Sequence, residues 1–235
     1  KILGNIKNIN YEAKNIDIYK NESTSELYGA LGYLLEADFQ KIKGDTDHKL
    51  TPKFLVRYAP GSMRKELSGS RLDPINAFSL NRLNNINNFE TGLSSTVGFD
   101  YKIKNNDRSF DFSVAQIINE MENKKMSSKS SLDEKLSDVV GSANYEIGKN
   151  INLKYNFSLD QNYKQLNYDE IGTTFDFNPI KIDFNYLKES KHIGDQEYFG
   201  SRIDFAKSDN GLFTFETKRN LVTDSSEFYN LSYEY

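Results

Sequence analysis

Five basic residues in one stretch, Arg57, Arg64, Lys65, Arg71 and Arg82, are the first candidates for chemistry in this chain. Guanidinium groups offer forked donors that fit phosphate or carboxylate oxygens, so such a set either receives an anion or pairs with the chain's own acids. The surrounding stretch, Leu50 to Leu83, reads LTPKFLVRYAPGSMRKELSGSRLDPINAFSLNRL. It also carries the apolar patch Ala77, Phe78 and Leu80, which a plain linker does not need and a loop that packs onto something does. Other chemistry is poorly provided for. His48 and His192 lie in or beside turns without ligand spacing, so no metal site is expected. There is no nucleophile elbow and no glycine-rich phosphate loop, and the carboxylates are scattered over polar strand faces. The expectation is a protein that is not an enzyme and has no cofactor.

The elements that must position these residues are strands. Phe54, Val56 and Tyr58 alternate with Lys53, Leu55 and Arg57, and the run breaks at Ala59-Pro60-Gly61. The same period of two appears at Leu31 to Phe39, Val97 to Ile103, Phe110 to Val114, Ile151 to Leu159, Phe175 to Tyr186, Ile203 to Phe215 and Tyr229 to Tyr235. Weaker alternation at Ile9, Tyr11, Ile16 and Ile18 suggests a strand or a pair. Asn21 to Ser25 reads as a loop, and Lys43 to Asp47 as a short turn. Tight turns near 45, 106, 149, 179 and 210 alternate with longer links at 60–89, 119–137, 160–168, 189–197 and 219–227. The lysine- and serine-rich segment 119–137 reads as a disordered loop or a short surface helix. The predicted strands, about ten to fourteen residues long, exceed the usual ~5–6.

Composition narrows the class. Aromatic content is 13%, with Tyr 15 and Phe 16, while hydrophobic content is only 37%. That balance suits thin, two-faced sheets better than packed helices. A net charge of -4 argues against general nucleic-acid binding. Cysteine is absent, so disulfides and thiolate sites are excluded within this stretch. No apolar run approaches ~18 residues, which excludes membrane helices but not a membrane barrel. The predicted fold is therefore all-β: an antiparallel up-and-down transmembrane β-barrel of the outer-membrane type. The whole of 1–235 would be part of one barrel domain, with about a dozen strands of a larger one and long loops at 60–89 and 119–137. A soluble sandwich also alternates, but rarely sorts its loops by length.

Several residues carry a resemblance. RYAP at Arg57–Pro60, RLDPINAFSLNRL at Arg71–Leu83, Glu90 with Gly92, and ELYGALGYLLEADF at Glu26–Phe39 resemble the C-terminal domain of the LptD family. Where that family usually has a Gly-aromatic-Asp-Arg turn, Asn84 to Phe89 stands instead, which bears on local loop contacts. The resemblance implies transport and insertion of lipopolysaccharide into the outer leaflet of the bacterial outer membrane. It implies an LptE-like lipoprotein plug, and a periplasmic LptA-like bridge reached through an N-terminal domain outside this stretch. The lateral opening, the family's cysteines and further strands would also lie outside, so the stretch alone is expected to aggregate. Asp73, Asn76, Phe78, Ser79, Leu80, Asn81 and Arg82 would form the family-motif loop. Arg57, Arg64, Lys65, Arg71 and Arg82 would either meet lipid A or inner-core phosphates or fasten that loop to lumen carboxylates. Phe78 and Leu80 would anchor it. The alternatives are a porin-like diffusion channel with 60–89 as its constriction, and a soluble or surface β-domain that binds a ligand.

Overall fold

The computed structural model describes residues 1–17, 19–66, 71–191, 194–208 and 211–234. Its thirteen strands are β1 (Ile2–Glu12), β2 (Ser23–Glu36), β3 (Phe39–Lys43), β4 (Thr46–Ala59), β5 (Gly92–Lys104), β6 (Arg108–Asn119), β7 (Val139–Ile147), β8 (Ile151–Leu159), β9 (Leu166–Phe177), β10 (Ile180–Glu189), β11 (Gln196–Ser208), β12 (Gly211–Asn220) and β13 (Ser225–Glu234). All are antiparallel and form one up-and-down sheet in chain order, with β3 beside β4. The sheet is not closed: β1 and β13 each have one neighbour in it. Among the described residues the helical elements are two short 3-10 turns, Asn76–Phe78 and Lys129–Ser131.

β3 continues β2. Glu36 pairs with Lys53 and Phe39 with Leu50, so the register is unchanged across the gap. The gap faces Pro52, which has no N–H to give, although its carbonyl still accepts from Ala37 N–H at 3.3 Å. On its other side Pro52 keeps its place opposite Phe99. Tight turns at 44–45, 105–107, 148–150 and 178–179 close one end of the sheet. The other end carries the links 13–22, 60–91, 120–138, 160–165, 190–195 and 221–224.

Alternation sets two faces of unlike chemistry. On β4, Leu50, Phe54, Val56 and Tyr58 are exposed, whereas Leu55, Arg57 and Ala59 are buried. The exposed face continues through Leu31, Tyr33 and Leu35 on β2, Val97 on β5, Leu153 on β8, Phe184 on β10, Phe199 and Ile203 on β11, Phe215 on β12 and Leu231 on β13. An uncovered apolar band of this extent is stable against hydrocarbon rather than water. Not all aromatics lie on it, since Tyr11, Tyr28 and Tyr168 face the opposite, inner side.

The core sits on the inner face and is built by the links. Met63, Leu72, Ala77 and Leu83 from 60–91 and Met126 and Leu132 from 120–138 pack on Ala115, Ile117 and Val140 of β6 and β7. A smaller cluster joins Leu80 and Phe89 to Ala30 and Ala59. Leu80 meets Gly32 on β2, while Arg71 reaches Glu189 on β10. Seven strand spacings separate those strands, about 34 Å along a flat sheet. The stretch 71–80 contains a turn closed by Ala77 N–H to the Asp73 carbonyl at 3.0 Å, so it spans them only because the sheet curls around it. The two links together form a plug in a trough.

Several expectations are corrected. The segment 119–137 is neither disordered nor a surface helix: Ser130, Ser131, Ser137 and Asp138 are fully buried in the plug. Residues 23–25 belong to β2 rather than to a loop, because Ser25, Thr24 and Ser23 pair with Asn10, Tyr11 and Glu12. The turn at 43–47 narrows to Gly44-Asp45. β1 ends at Glu12, so Ile16 is in a link. The last link shrinks to 221–224, only slightly longer than the turns opposite. Ile18, His192, Asp209, Asn210 and Tyr235 lie outside the described residues, though Ser208 and Gly211 pair directly across the predicted 208–211 hairpin.

The fit of plug to wall gives a first prediction. A Cβ at Gly32 would stand 2.5 Å from Leu80 Cδ2 and 3.1 Å from Leu55 Cδ1. Gly32→Val is expected to lift Leu80 from its seat and raise protease cleavage within 60–91 several-fold in outer-membrane preparations. The added change Leu80→Ala empties the contested space and should return cleavage toward the parent level. Equal cleavage in all three proteins would show that this contact does not hold the plug.

Candidate functional site

The plug is fastened by a buried ionic cluster at its root. Arg57 projects inward from β4 because β-strand side chains alternate, and the break at Pro60 leaves the link free to fold back over it. Arg57 Nε donates to the Leu80 carbonyl at 2.6 Å, its NH1 to the Gly92 carbonyl at 3.4 Å, and its NH2 to the Glu90 carbonyl. Arg82 Nε donates to Glu90 Oε2 at 2.7 Å, and its NH2 to Glu90 Oε1 and to Ser94 Oγ, the latter at 3.1 Å. Arg57 NH1 lies 3.6 Å from Glu90 Oε1. All three side chains are at most 4% exposed. Burial pushes the Glu90 carboxyl up, but Arg82 and Arg57 outweigh it and hold its pKa below the ordinary carboxylate value. A depressed pKa means this stabilisation is complete above the carboxylate range and is lost only as pH falls through the lowered value.

The other basic residues part ways. Arg64 bonds the Asn87 carbonyl and Glu26, and lies over the rings of Tyr11 and Tyr19 at 4.6 and 5.0 Å. Arg71 sits 3.7 Å over the Tyr168 ring and bonds Glu189 Oε2 at 2.8 Å. Lys65 is exposed and forms no ion pair among the described residues.

The motif residues build the loop itself. Asp73 Oδ1 accepts the N–H groups of Ile75 and Asn76, both at 2.7 Å, and Asn76 returns Nδ2 to the Arg71 carbonyl at 2.8 Å. Ser79 N–H donates to the Asn76 carbonyl at 2.9 Å. Asn81 Oδ1 accepts Glu90 N–H at 3.1 Å, which sets the carboxylate opposite Arg82. Leu80 is buried on Gly32, and Phe78 packs near Gly98, at 3.1 Å from where a Cβ would stand. Thr96 Oγ1 donates to the Ala77 carbonyl at 2.9 Å and pins the turn to β5.

A second bolt had no signal in the sequence. Asp138, fully buried, accepts from Ser131 Oγ at 2.7 Å, Ser158 Oγ at 2.9 Å and Asn167 Nδ2 at 2.8 Å, with Lys191 Nζ 3.5 Å away. It ties link 120–138 to β8, β9 and the link after β10. The two links also join each other: Glu66 N–H donates to the Lys125 carbonyl at 2.8 Å, and Leu72 N–H to Ser130 Oγ at 3.2 Å.

Beyond the plug the inner wall is polar. Ser113 donates to Asp100 at 2.8 Å, Lys102 pairs with Asp111 at 2.8 Å, Asn156 donates to Glu170 at 3.0 Å and Thr214 to Asp204 at 2.7 Å. Such a surface hydrates sugars and ions and repels acyl chains. A cavity of about 520 Å³ lies between the two links, lined by Arg57, Ser62, Glu90, Asn119, Glu122 and Met126 among others. Another, of about 360 Å³, lies between the plug turn and β7–β9, bounded by Arg71, Asp73, Ser142, Asn156, Tyr168 and Glu170 among others. No group of three or more His, Cys, Asp or Glu side chains among the described residues is arranged to hold a metal.

A mutant porin of Rh. blastica is similar over 100% of this chain and 99% of its own, at 6% identity and a TM-score of 0.35. OccAB4 of Acinetobacter baumannii covers 98% of this chain and 69% of its own, at 11% identity and a TM-score of 0.28. No curated protein matches the chain. The family model described as LptD, LPS transport system D, matches residues 12–217.

Proposed function

Since this chain belongs to the LptD family of lipopolysaccharide transport, and hence to the bacterial outer membrane, we propose that it forms part of the barrel through which lipopolysaccharide is inserted into the outer leaflet. The observation that carries this reading is the division of the sheet into an apolar outer face and a polar inner face spanned by a bolted plug. A polar wall hydrates the sugars and phosphates of the lipid, while its acyl chains keep to hydrocarbon and leave sideways through a weakened seam. The links of the plug then face the exterior and the tight turns the periplasm. An LptE-like lipoprotein completes the closure of the lumen, and an LptA-like bridge delivers the lipid through an N-terminal periplasmic domain. No covalent step is involved, and the protein is not an enzyme. Arg57, Arg64 and Arg82 act as fasteners of the plug, because their donors are already taken by its carbonyls and by the carboxylates of Glu26 and Glu90.

Depleting the full-length protein in its host tests the reading. Newly made lipopolysaccharide is expected to stop reaching the cell surface, and the outer membrane to admit large antibiotics. Undiminished surface lipopolysaccharide after depletion would refute it.

A further inference from the structure

Arg71 differs from the other buried-end arginines in what it leaves unused. Arg57 and Arg82 place their N–H groups on carbonyls, a carboxylate and a hydroxyl, whereas Arg71 has one side-chain hydrogen bond among the described residues, to Glu189. Its Nε is buried without an acceptor, while the side chain as a whole is 37% exposed, so the terminal nitrogens are what it can offer to the cavity. A guanidinium carries five N–H donors, so most of this one's capacity is unfilled. It borders the cavity of about 360 Å³ described above. That volume lies at the lower end of small-molecule sites.

The strand side of the cavity is a row laid out by the sheet register. Ser142, Asn156 and Glu170 are direct partners on β7, β8 and β9, and all three point inward. Tyr168 adds its hydroxyl, which donates to Glu170 Oε2 at 2.6 Å, and Asn156 Nδ2 donates to the same oxygen at 3.0 Å. The row therefore presents hydroxyl, amide and carboxylate groups to a space that also borders the guanidinium of Arg71, itself stacked 3.7 Å over the Tyr168 ring. Charge decides what fits. Arg71 is matched by Glu189, and Asp73 and Glu170 add two further carboxylates at the rim, so the pocket is net acidic and repels phosphate. A neutral molecule whose hydroxyls both donate and accept satisfies both walls.

We propose that the cavity between Arg71 and the Ser142–Asn156–Glu170 row is a subsite for a neutral hexose-type sugar unit. The proposal rests on the lipopolysaccharide transport reading, from which the sugar would come. The subsite places the contact beneath the plug turn Asp73–Asn76, so a sugar bound there touches the segment that bars its way. Glu170 and Asn156 take its hydroxyl protons and lone pairs, and Arg71 supplies donors from the plug side.

The test uses the full-length protein in cells, with a photo-crosslinking amino acid at Ser142 and, separately, at Asn230 on the uncovered inner wall of β13. Two host backgrounds are compared: one making lipopolysaccharide with its full sugar chain, one making a truncated form that keeps lipid A and its phosphates. The expected result is an adduct at 142 several-fold stronger with the full sugar chain, and reduced several-fold by Glu170→Gln, while the adduct at 230 keeps its level in that variant. Equal adducts at 142 with both lipids would overturn the sugar assignment in favour of the phosphates or acyl chains. Adducts at 230 without any at 142 would overturn the subsite and leave the transport reading standing. Adducts at neither position, with normal export after depletion, would overturn both.

Discussion

Glu90→Ala is expected to be the most damaging single change in the plug. Glu90 is the carboxylate that Arg57 and Arg82 share, and all three are buried. Removing one partner of such a group strands the remaining charges away from water, at a cost of about 3–5 kcal/mol. Arg57 keeps its carbonyl acceptors at Leu80 and Gly92, but Arg82 loses both oxygens of its fork. The root of link 60–91 then opens, and trypsin gains access to Arg64 and Lys65. Glu90→Gln keeps the shape without the charge and should fall between parent and alanine variant. The double change Glu90→Ala with Arg82→Met should cost less than the two singles summed, since it removes the stranded charge along with its partner. Cleavage within 60–91 and the temperature at which the folded form loses its gel mobility report the effect. Strict additivity would mean that the pair is not coupled as the distances imply.

Asp138→Ala should come next in size, through a different mechanism. Four groups converge on this carboxylate from link 120–138, β8, β9 and the link after β10. Alanine leaves Ser131, Ser158 and Asn167 side chains buried without this acceptor, each at about 1–3 kcal/mol, and leaves Lys191 with Asp160 at 3.8 Å as its remaining charge partner. The expected outcome is release of link 120–138, seen as cleavage after Lys124, Lys125 or Lys129, with the strands still protected. Asp138→Asn should retain part of the network, because an amide oxygen still accepts. If link 120–138 stays as protected as in the parent, the network does not hold the plug to the far wall.

How much of this was legible in the sequence depends on where period two rules. On β4 the inward set Lys53, Leu55 and Arg57 and the outward set Phe54, Val56 and Tyr58 follow from alternation alone, and Pro60-Gly61 marks the break. The apolar patch Ala77, Phe78 and Leu80 announced a loop that packs, because exposed linkers do not keep such residues. The partners of that loop were not legible. Glu90 stands eight residues from Arg82 and thirty-three from Arg57, and Glu189 one hundred and eighteen from Arg71, so only the folded register brings them together. The lysine- and serine-rich segment 119–137 reads as a disordered loop or a short surface helix. Ser131 and Ser137 are buried all the same, since they donate to a carboxylate and to backbone, and that kind of satisfaction leaves no hydrophobic period to read. β1 was faint because Lys7, Asn8 and Asn10 interrupt its alternation. Lys7 is nonetheless used, reaching the Asn88 carbonyl of the plug at 2.9 Å.

The central claim is that the inner face of this sheet belongs to a lipopolysaccharide translocon rather than to an open pore. Purifying the full-length protein from outer membranes under mild conditions and identifying what comes with it tests that most directly. A stoichiometric small lipoprotein together with lipopolysaccharide is the predicted result. A lone barrel that carries no lipid and passes a steady ion current would contradict it.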